Sequence, residues 1–239
     1  MTTTDRLSDT LIQAHDSAQR ADASALPIPD YAEVMAIQSR VQAHLGPVGG
    51  FKVGRRPEGP PGLAPISAAR VFPSGSAIPT RDTMGIELEV GFELIAAPGP
   101  DPMSHLTQVF RPRIVLELVD TRLTGADDDP MLKLADMQIN DGLVLGPALD
   151  GWDGTDFTTL TAALTCGDRT VIDGPVQIPG GSALANLALL CDHVGTHCGG
   201  LQKGQVIITG SISGLDYFPA GTDVAGRIDG LGEISCRLT

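Results

Sequence analysis

The chain has 239 residues, of which 42% are hydrophobic and 19% charged, a composition typical of a soluble globular protein. Its 16 Lys and Arg against 29 Asp and Glu give a net charge of −13, which disfavours nucleic acid and anionic membranes as partners. The four scattered cysteines form no dense framework, and the first residues lack the apolar stretch of a signal peptide. We therefore expect a cytoplasmic protein with reduced thiols.

Helical spacing of apolar residues opens the chain and predicts two helices, over residues 5–24 and 30–46. From about residue 49 the pattern changes to short runs of β-type residues that are separated by Gly and Pro. We therefore expect an N-terminal helical segment, residues 1–48, followed by a β-rich catalytic domain, residues 49–239.

The β-rich part is predicted to contain many short strands and one further helix. The helix is predicted over residues 182–194, with Gly199 and Gly200 marking the exit of the chain from it, while Gly167 and Asp168 predict a tight hairpin. The acidic run 127–130 predicts a solvated turn. The predicted strands cover residues 50–53, 70–72, 86–95, 113–119, 142–145, 158–166, 169–173, 206–209 and 232–238. This order indicates an α+β fold with a rolled or closed β-core.

Two glutamates alternate with apolar residues in one predicted strand. Glu87 and Glu89 therefore point to one face, while the intervening Ile86 and Leu88 face the core. Like charges this close repel one another unless a cation lies between them. Glu117 occupies the next predicted strand, so three carboxylates form a candidate site for a hard divalent ion, Mg²⁺ or Mn²⁺. The alternative is a solvated strand face that carries acids by chance.

A second group of candidate ligands, Cys191, His193, His197 and Cys198, has the soft donors that zinc prefers. On a helix, however, the two cysteines share one face and the two histidines another. Since no C-x-x-C partner occurs elsewhere, we expect core cysteines and exposed histidines rather than a metal site.

A series of motifs resembles the fumarylacetoacetate hydrolase superfamily, and within it the 2-keto-4-pentenoate hydratase and 4-oxalocrotonate decarboxylase branch. The resemblance runs from Tyr31 to the C-terminus, with the motifs in the family's order. The main ones are GFKVG from Gly50, GIELEVGF from Gly85, RIVLELVDTR from Arg113, ADMQINDGLVLG from Ala135, GLQKGQVIITGS from Gly200 and GLGEIS from Gly230.

The resemblance implies a mixed β-roll, a homo-oligomeric assembly and metal-dependent chemistry on a small anionic 2-oxo acid. Lys52 falls on the family's active-site lysine, and residues 209–211 fall on its cradle for the substrate. By position, the assigned roles are metal ligands for Glu87, Glu89 and Glu117, catalysis for Lys52, and substrate binding for Gln138, Asn140, Gly210 and Ser211. The alternative for Lys52 is a surface lysine on an edge strand. The alternative for Gln138, Asn140 and Ser211 is that they are ordinary turn residues.

The chain departs from the hydratase pattern directly after the lysine motif. The hydratases continue with Leu-Thr-Ser, whereas this chain has Arg55 and Arg56, and it has no pocket Asp further on. Our leading hypothesis is a hydratase that adds water to a 2-hydroxy-2,4-dienoate to give a 4-hydroxy-2-oxo acid. The alternatives are an oxalocrotonate-type decarboxylase or acylpyruvate hydrolase, and a non-catalytic partner subunit. Intact Glu117 and Lys52 argue against the last.

Overall fold

A computed structural model describes residues 2–126 and 129–239, and the turn expected at 127–130 lies partly outside them. The helices are α1 (Thr3–Ser17), α2 (Tyr31–Leu45), α3 (Leu106–Val109), α4 (Pro130–Ala135) and α5 (Ala183–Val194). The strands are β1 (Ala21–Asp22), β2 (Val48–Gly54), β3 (Gly62–Ser67), β4 (Val71–Pro73), β5 (Ser76–Ile78), β6 (Thr83–Leu94), β7 (Phe110–Val119), β8 (Leu123–Thr124), β9 (Asn140–Ala148), β10 (Thr159–Cys166), β11 (Arg169–Gln177), β12 (Val206–Ile208), β13 (Asp216–Pro219), β14 (Asp223–Ile228) and β15 (Gly232–Leu238). Within the described ranges, no helix is long and apolar enough to cross a membrane.

The two N-terminal helices both begin with a capping box. In α2, the Asp30 side chain accepts the Glu33 backbone N–H, and the Glu33 carboxylate accepts the Asp30 N–H in return. The predicted bounds of α2 are confirmed. The prediction that the first helix reaches residue 24 is wrong, because α1 ends at Ser17 and Ala18 takes a left-handed conformation. The chain then pairs with β8 as the short strand β1.

Two sheets form the body of the molecule. The larger has the strand order β3-β2-β12-β6-β7-β9-β4, with β13 paired to the first half of β6. The smaller has the order β11-β10-β14-β15-β5. Buried side chains from both sheets and from α5 form one continuous apolar core. The architecture is therefore the mixed, rolled α+β fold that the sequence predicted.

The strands predicted from the sequence are present, most of them longer than expected. The hairpin at Gly167 and Asp168 is confirmed, since these residues join β10 to β11. The helix predicted over residues 182–194 is confirmed as α5, which ends at Val194, and Gly199 and Gly200 follow it at the end of a short 3-10 turn. Strands β1, β3, β5, β8, β13 and β14 were not predicted. In β14 the alternation is real, but Ala225 and Gly226 hide it because neither has a distinctive β-type side chain.

A second apolar core fixes the helical part to the sheet. It joins buried residues of α1 and α2 to α4, among them Leu11, Ile37 and Leu132. At its centre the amide of Gln38 donates to the carbonyls of Leu63 and Leu134, at 2.8 and 2.7 Å. The helix α2 is therefore tied both to β3 and to the segment that leads into residues 137–139.

Candidate active site

Three carboxylates converge on one face of the large sheet. Glu87 and Glu89 lie on β6 and Glu117 on β7, where Glu87 is directly opposite Glu117 in the register. One oxygen of each carboxylate lies within 4.8 Å of the others. Glu89 and Glu117 are buried and Glu87 is half-buried. The apolar residues between them point into the core, so strand alternation alone places the acids together.

The two oxygens of Glu117 have different surroundings. Its Oε1 accepts hydrogen bonds from Lys52 Nζ at 2.5 Å and from Asn140 Nδ2 at 2.8 Å. Its Oε2 is buried and has no hydrogen-bond partner among the described residues. A buried carboxylate oxygen without a partner costs free energy unless another group satisfies it. This oxygen therefore fits the ligand of a metal ion, and its neighbour is held in place by two donors.

The backbone of Gly210 orients the second buried acid. Its N–H donates to Glu89 Oε2 at 2.6 Å, and the preceding Thr209 hydroxyl donates to the carbonyl of Val90 at 3.0 Å. Gly210 has a φ of +119°, and a Cβ there would lie 3.1 Å from Pro179. Glycine is therefore required at this position, and the loop that carries it fixes the Glu89 carboxylate.

Lys52 is buried on an inner strand of the large sheet. Its strand β2 lies between β3 and β12, so it is not an exposed lysine on an edge strand. Its Nζ also donates to the carbonyl of Gln138 at 3.3 Å. Burial lowers the pKa of Lys52, but the carboxylates of Glu117 and Glu87 outweigh it, so the net shift of the pKa is upward. Lys52 therefore carries a proton at neutral pH.

The acids resist ionisation when no cation is present. Burial, followed by the charge of Glu117, raises the pKa of Glu87 to about 7, although Lys52 and the Ser211 hydroxyl oppose this shift. Burial and the same neighbouring charge raise the pKa of Glu89 well above its ordinary value. A cation between the carboxylates would reverse both shifts, because it stabilises the charged forms.

This arrangement predicts that Glu87→Gln stabilises the metal-free protein at high pH. The folded pKa of about 7 lies above the ordinary 4.5, so folding binds a proton and the stability of the wild type falls as pH rises between these values. The free energy of unfolding of the variant, relative to that of the wild type, should therefore rise by about 2 kcal/mol from pH 5 to pH 8, since one pKa unit corresponds to about 1.4 kcal/mol. Urea unfolding in a chelator measures this difference. An equal effect of the substitution at both pH values would contradict it.

A strained turn brings Gln138 and Asn140 to the acids. Met137, Gln138 and Ile139 have φ values of 50°, 52° and 55°, a run of left-handed residues that costs free energy without glycine. The buried guanidinium of Arg122 holds this turn. It forms an ion pair with Asp136 and donates to the carbonyls of Asp136 and Asn140, each at 2.7 Å.

The two amide side chains of the turn are used differently. Both polar atoms of the Asn140 amide form hydrogen bonds, because its Nδ2 donates to Glu117 and its Oδ1 accepts the Gly142 N–H at 2.9 Å. Gln138 Oε1 is buried and lacks a hydrogen-bond partner within the described part of the chain. Its Nε2 would lie 2.7 Å from a Cβ at Gly54, so that glycine makes room for it. Asn140 therefore positions Glu117, and Gln138 has an unused acceptor.

Ser211 lies at the rim of the acidic group. Its hydroxyl donates to the carbonyl of Gly214 at 3.0 Å and lies beside Glu87. The structure therefore brings all the residues predicted for the site to one place. Gly210 contacts Glu89 and Asn140 contacts Glu117, so both orient acids.

The alternative zinc site does not form. Cys198 Sγ lies 3.5 Å from His197 Nε2, but His193 is exposed and bonds only to the carbonyl of Leu189. In the part of the chain that the structure describes, only Glu87, Glu89 and Glu117 form a group of three or more acidic, histidine or cysteine side chains close enough to share a metal ion. The four cysteines are free thiols, and Cys191 packs against the main core.

Sequence reasoning missed Asn186 on α5. It is buried, and its Nδ2 donates to the carbonyls of Pro179 and Thr209 at 2.8 and 3.0 Å. Asn186 therefore holds the loop of Gly210 against α5. The available signal was a single amide inside the apolar stretch from Ala183 to Cys191.

Comparison with known proteins establishes the fold. No family model matches the chain, and no curated protein matches it. Among solved structures, 4-oxalocrotonate decarboxylase from Pseudomonas putida G7, complexed with magnesium and adipate, has a TM-score of 0.80 at 18% identity over 100% of this chain and 99% of that chain. Fumarylpyruvate hydrolase from Pseudomonas aeruginosa, in complex with Mn²⁺ and pyruvate, has a TM-score of 0.59 at 17% identity over 79% and 88%.

A third similar structure, 2-hydroxyhepta-2,4-diene-1,7-dioate isomerase from Mycobacterium marinum, has a TM-score of 0.60 at 13% identity over 81% of this chain and 76% of that chain. These proteins belong to the fumarylacetoacetate hydrolase superfamily. The chain therefore has the fold that the motifs predicted.

Proposed function

We propose that this chain is a divalent-metal-dependent enzyme of 2-oxo acids, and that it hydrates a 2-hydroxy-2,4-dienoate to a 4-hydroxy-2-oxo acid. The observation that carries the proposal is the Glu87, Glu89 and Glu117 group, in which one buried oxygen has no partner and a buried lysine contacts the other. Mg²⁺ or Mn²⁺ suits three carboxylate ligands. Three solved structures with this fold are described with magnesium, calcium or manganese.

The charges of the site favour an anionic substrate in an acidic protein. The three carboxylates, one divalent cation and Lys52 together are formally neutral, so a carboxylate can approach. The carboxylates of Glu87, Glu89 and Glu117 would hold such a cation, which would supply stabilisation of the negative charge on the C2 oxygen of the substrate. Asn140 and Gly210 keep the acids in a fixed orientation, which lowers the reorganisation needed during the reaction.

Lys52 is the group that moves the proton. Its Nζ is held between Glu117 and the carbonyl of Gln138, next to the place that the substrate must occupy. Conversion of the dienol to the enone places one proton on C5 and removes the proton of the C2 hydroxyl. Lys52 gives the first and regains the second, so it ends protonated as it began.

Gln138 is the better residue to position the water. Its buried Oε1 is an unused acceptor, whereas both ends of the Asn140 amide are occupied. The water oxygen bonds to C4, the double bond between C3 and C4 is lost, and a proton ends on C3. Gln138 needs only to accept a hydrogen bond from this water.

An isotope experiment tests the reaction. The protein is incubated with Mg²⁺ and 2-hydroxypenta-2,4-dienoate in H₂¹⁸O, and the products are measured by mass spectrometry. We expect a 4-hydroxy-2-oxo acid with the label at C4, and a slower reaction for Gln138→Ala. Turnover of the dienoate would also exclude a non-catalytic partner subunit. Absence of the labelled product from a metal-loaded protein would contradict the hydratase proposal.

Decarboxylation is the second candidate. It is supported by the likeness to 4-oxalocrotonate decarboxylase, which covers almost the full length of both chains, whereas the likeness to fumarylpyruvate hydrolase covers 79% of this chain. The same enolate serves both reactions, so the metal ligands do not separate them. Release of CO₂ from an oxalocrotonate, with no ¹⁸O from water incorporated into a product of the dienoate, would favour the decarboxylase.

A further inference from the structure

Three consecutive residues next to the acids, 137–139, lie in the left-handed region without a glycine among them. Such residues normally visit this region singly, and a β-branched residue such as Ile139, with a φ of 55°, is the least suited to it. A turn without further support would relax to another conformation. The run therefore needs contacts that outweigh its cost, and these contacts lie on the carbonyls that flank it.

Arg122 supplies these contacts with one planar group. Its Nη2 donates to the carbonyl of Asp136, just before the run, and its Nη1 donates to the carbonyl of Asn140, just after it, each at 2.7 Å. Its Nε pairs with the Asp136 carboxylate, and the side chain is fully buried. A lysine has a single nitrogen in place of this fork, so it cannot bridge both carbonyls in the same way.

The conformation of the run decides where two groups of the site point. The carbonyl of Gln138, in the middle of the run, accepts from Lys52 Nζ at 3.3 Å. Asn140 follows the run directly, and its Nδ2 donates to Glu117 Oε1 at 2.8 Å. A change of the backbone dihedral angles at residues 137–139 would redirect both groups. The surroundings of Lys52 and Glu117 therefore depend on contacts that neither residue makes.

We propose that Arg122 is a positioning residue of the active site, which acts through the two flanking carbonyls and not through its ion pair. It holds the run left-handed and so keeps the Asn140 amide on Glu117. The same conformation keeps the Gln138 carbonyl on Lys52. This rests on the proposed function, in which Glu117 is a metal ligand and Lys52 moves the proton. Arg122 itself touches neither substrate nor metal.

Calorimetric titration with Mg²⁺ tests the assignment. Arg122→Lys keeps a positive charge beside Asp136 but loses the fork, so we expect Mg²⁺ to bind about tenfold more weakly, the low end for loss of a group that orients a metal ligand. Asp136→Asn is the matched variant, because it removes the ion pair and leaves both carbonyls to Arg122. It should lower the melting temperature and keep the affinity for Mg²⁺ within about twofold.

A double-mutant cycle shows whether Arg122 acts through Asn140. Asn140→Ala removes the amide that orients Glu117 and should weaken Mg²⁺ binding to a similar extent. If the effect of Arg122 passes through this amide, adding Arg122→Lys to Asn140→Ala should change the affinity by no more than about twofold. Losses that multiply would show two independent effects and contradict the assignment.

Ile139→Gly provides a rescue. Glycine takes the left-handed conformation at no steric cost, so the run depends less on Arg122 when residue 139 has no side chain. In the Arg122→Lys background, this substitution should restore the affinity for Mg²⁺ by about threefold or more. A loss of packing alone would instead deepen, because the half-buried side chain of Ile139 is removed as well. The same background serves for the comparison if Arg122→Lys alone does not fold.

Kinetics at saturating Mg²⁺ give a second readout. Arg122→Lys should lower kcat for the dienoate about tenfold and change KM by no more than about twofold, because Lys52 loses the partner that fixes its position. Wild-type affinity and kcat in this variant, or an equal loss of affinity in Asp136→Asn, would overturn the assignment and leave the proposed function standing. A chain that folds neither with Arg122→Lys nor with the added Ile139→Gly would show a role in folding and also overturn it. If the wild type does not bind Mg²⁺, the proposed function itself fails.

Discussion

Glu89→Gln is expected to bind Mg²⁺ or Mn²⁺ at least 100-fold more weakly than the wild type in calorimetric titrations. The substitution keeps the size of the side chain and leaves an oxygen to accept the Gly210 N–H, but it replaces a charged ligand by a neutral one. Loss of residues that only orient a metal ligand typically costs 10- to 100-fold in affinity or activity, so loss of a ligand should cost no less. Turnover of the dienoate should fall with metal occupancy.

Glu93→Gln is the control for this experiment. Glu93 lies on the same strand and face as Glu89, but it forms ion pairs with Arg111 and Arg113, each at 3.1 Å. Its substitution should leave metal affinity within about twofold. Wild-type affinity in a folded Glu89→Gln protein would remove Glu89 from the site.

Lys52→Met should lower kcat by about 100-fold or more at saturating metal, the low end of the effect of a general acid or base. The variant also leaves the buried Oε1 of Glu117 with Asn140 as its remaining described donor, so thermal unfolding must confirm that it folds. A more direct measurement is the exchange with D₂O of the C5 hydrogens of the enone, followed by NMR. This exchange should slow together with turnover.

Lys52→Arg distinguishes proton transfer from charge. It keeps a cation beside Glu117, but arginine does not release its proton in proteins. We expect this variant to bind metal and still exchange protons slowly. Near-normal exchange in Lys52→Arg would mean that the residue acts through its charge alone, and near-normal activity in Lys52→Met would leave it a structural role.

The acidic group was predictable because it depends on local rules. Strand alternation puts Glu87 and Glu89 on one face, and pairing of consecutive strands brings Glu117 opposite them. Lys52 was placed by its motif, since the pairing of β2 with β12 joins segments more than 150 residues apart. Alternation also holds in β2, where Phe51 and Val53, on either side of Lys52, face the core.

The parts that were not predicted depend on tertiary contacts. The left-handed conformation of Met137, Gln138 and Ile139 contradicts their intrinsic preferences and persists because Arg122 binds the carbonyls on either side. The sequence placed Gln138 and Asn140 on one loop, but it could not show which amide was already occupied. Hydrogen bonds between distant segments decide that question.

The amide of Gln38 has a consequence for how the chain folds. Its two hydrogen bonds join α2 to β3 and to the end of α4, and the second apolar core surrounds them. Removal of the first helices would leave the carbonyls of Leu63 and Leu134 without this donor and expose the apolar residues beneath. The strained turn that carries Gln138 begins just after Leu134. The N-terminal helices and the proposed catalytic residues therefore pack as one unit, and the free energy that keeps the turn in its unfavourable conformation comes partly from contacts with the opposite end of the sequence.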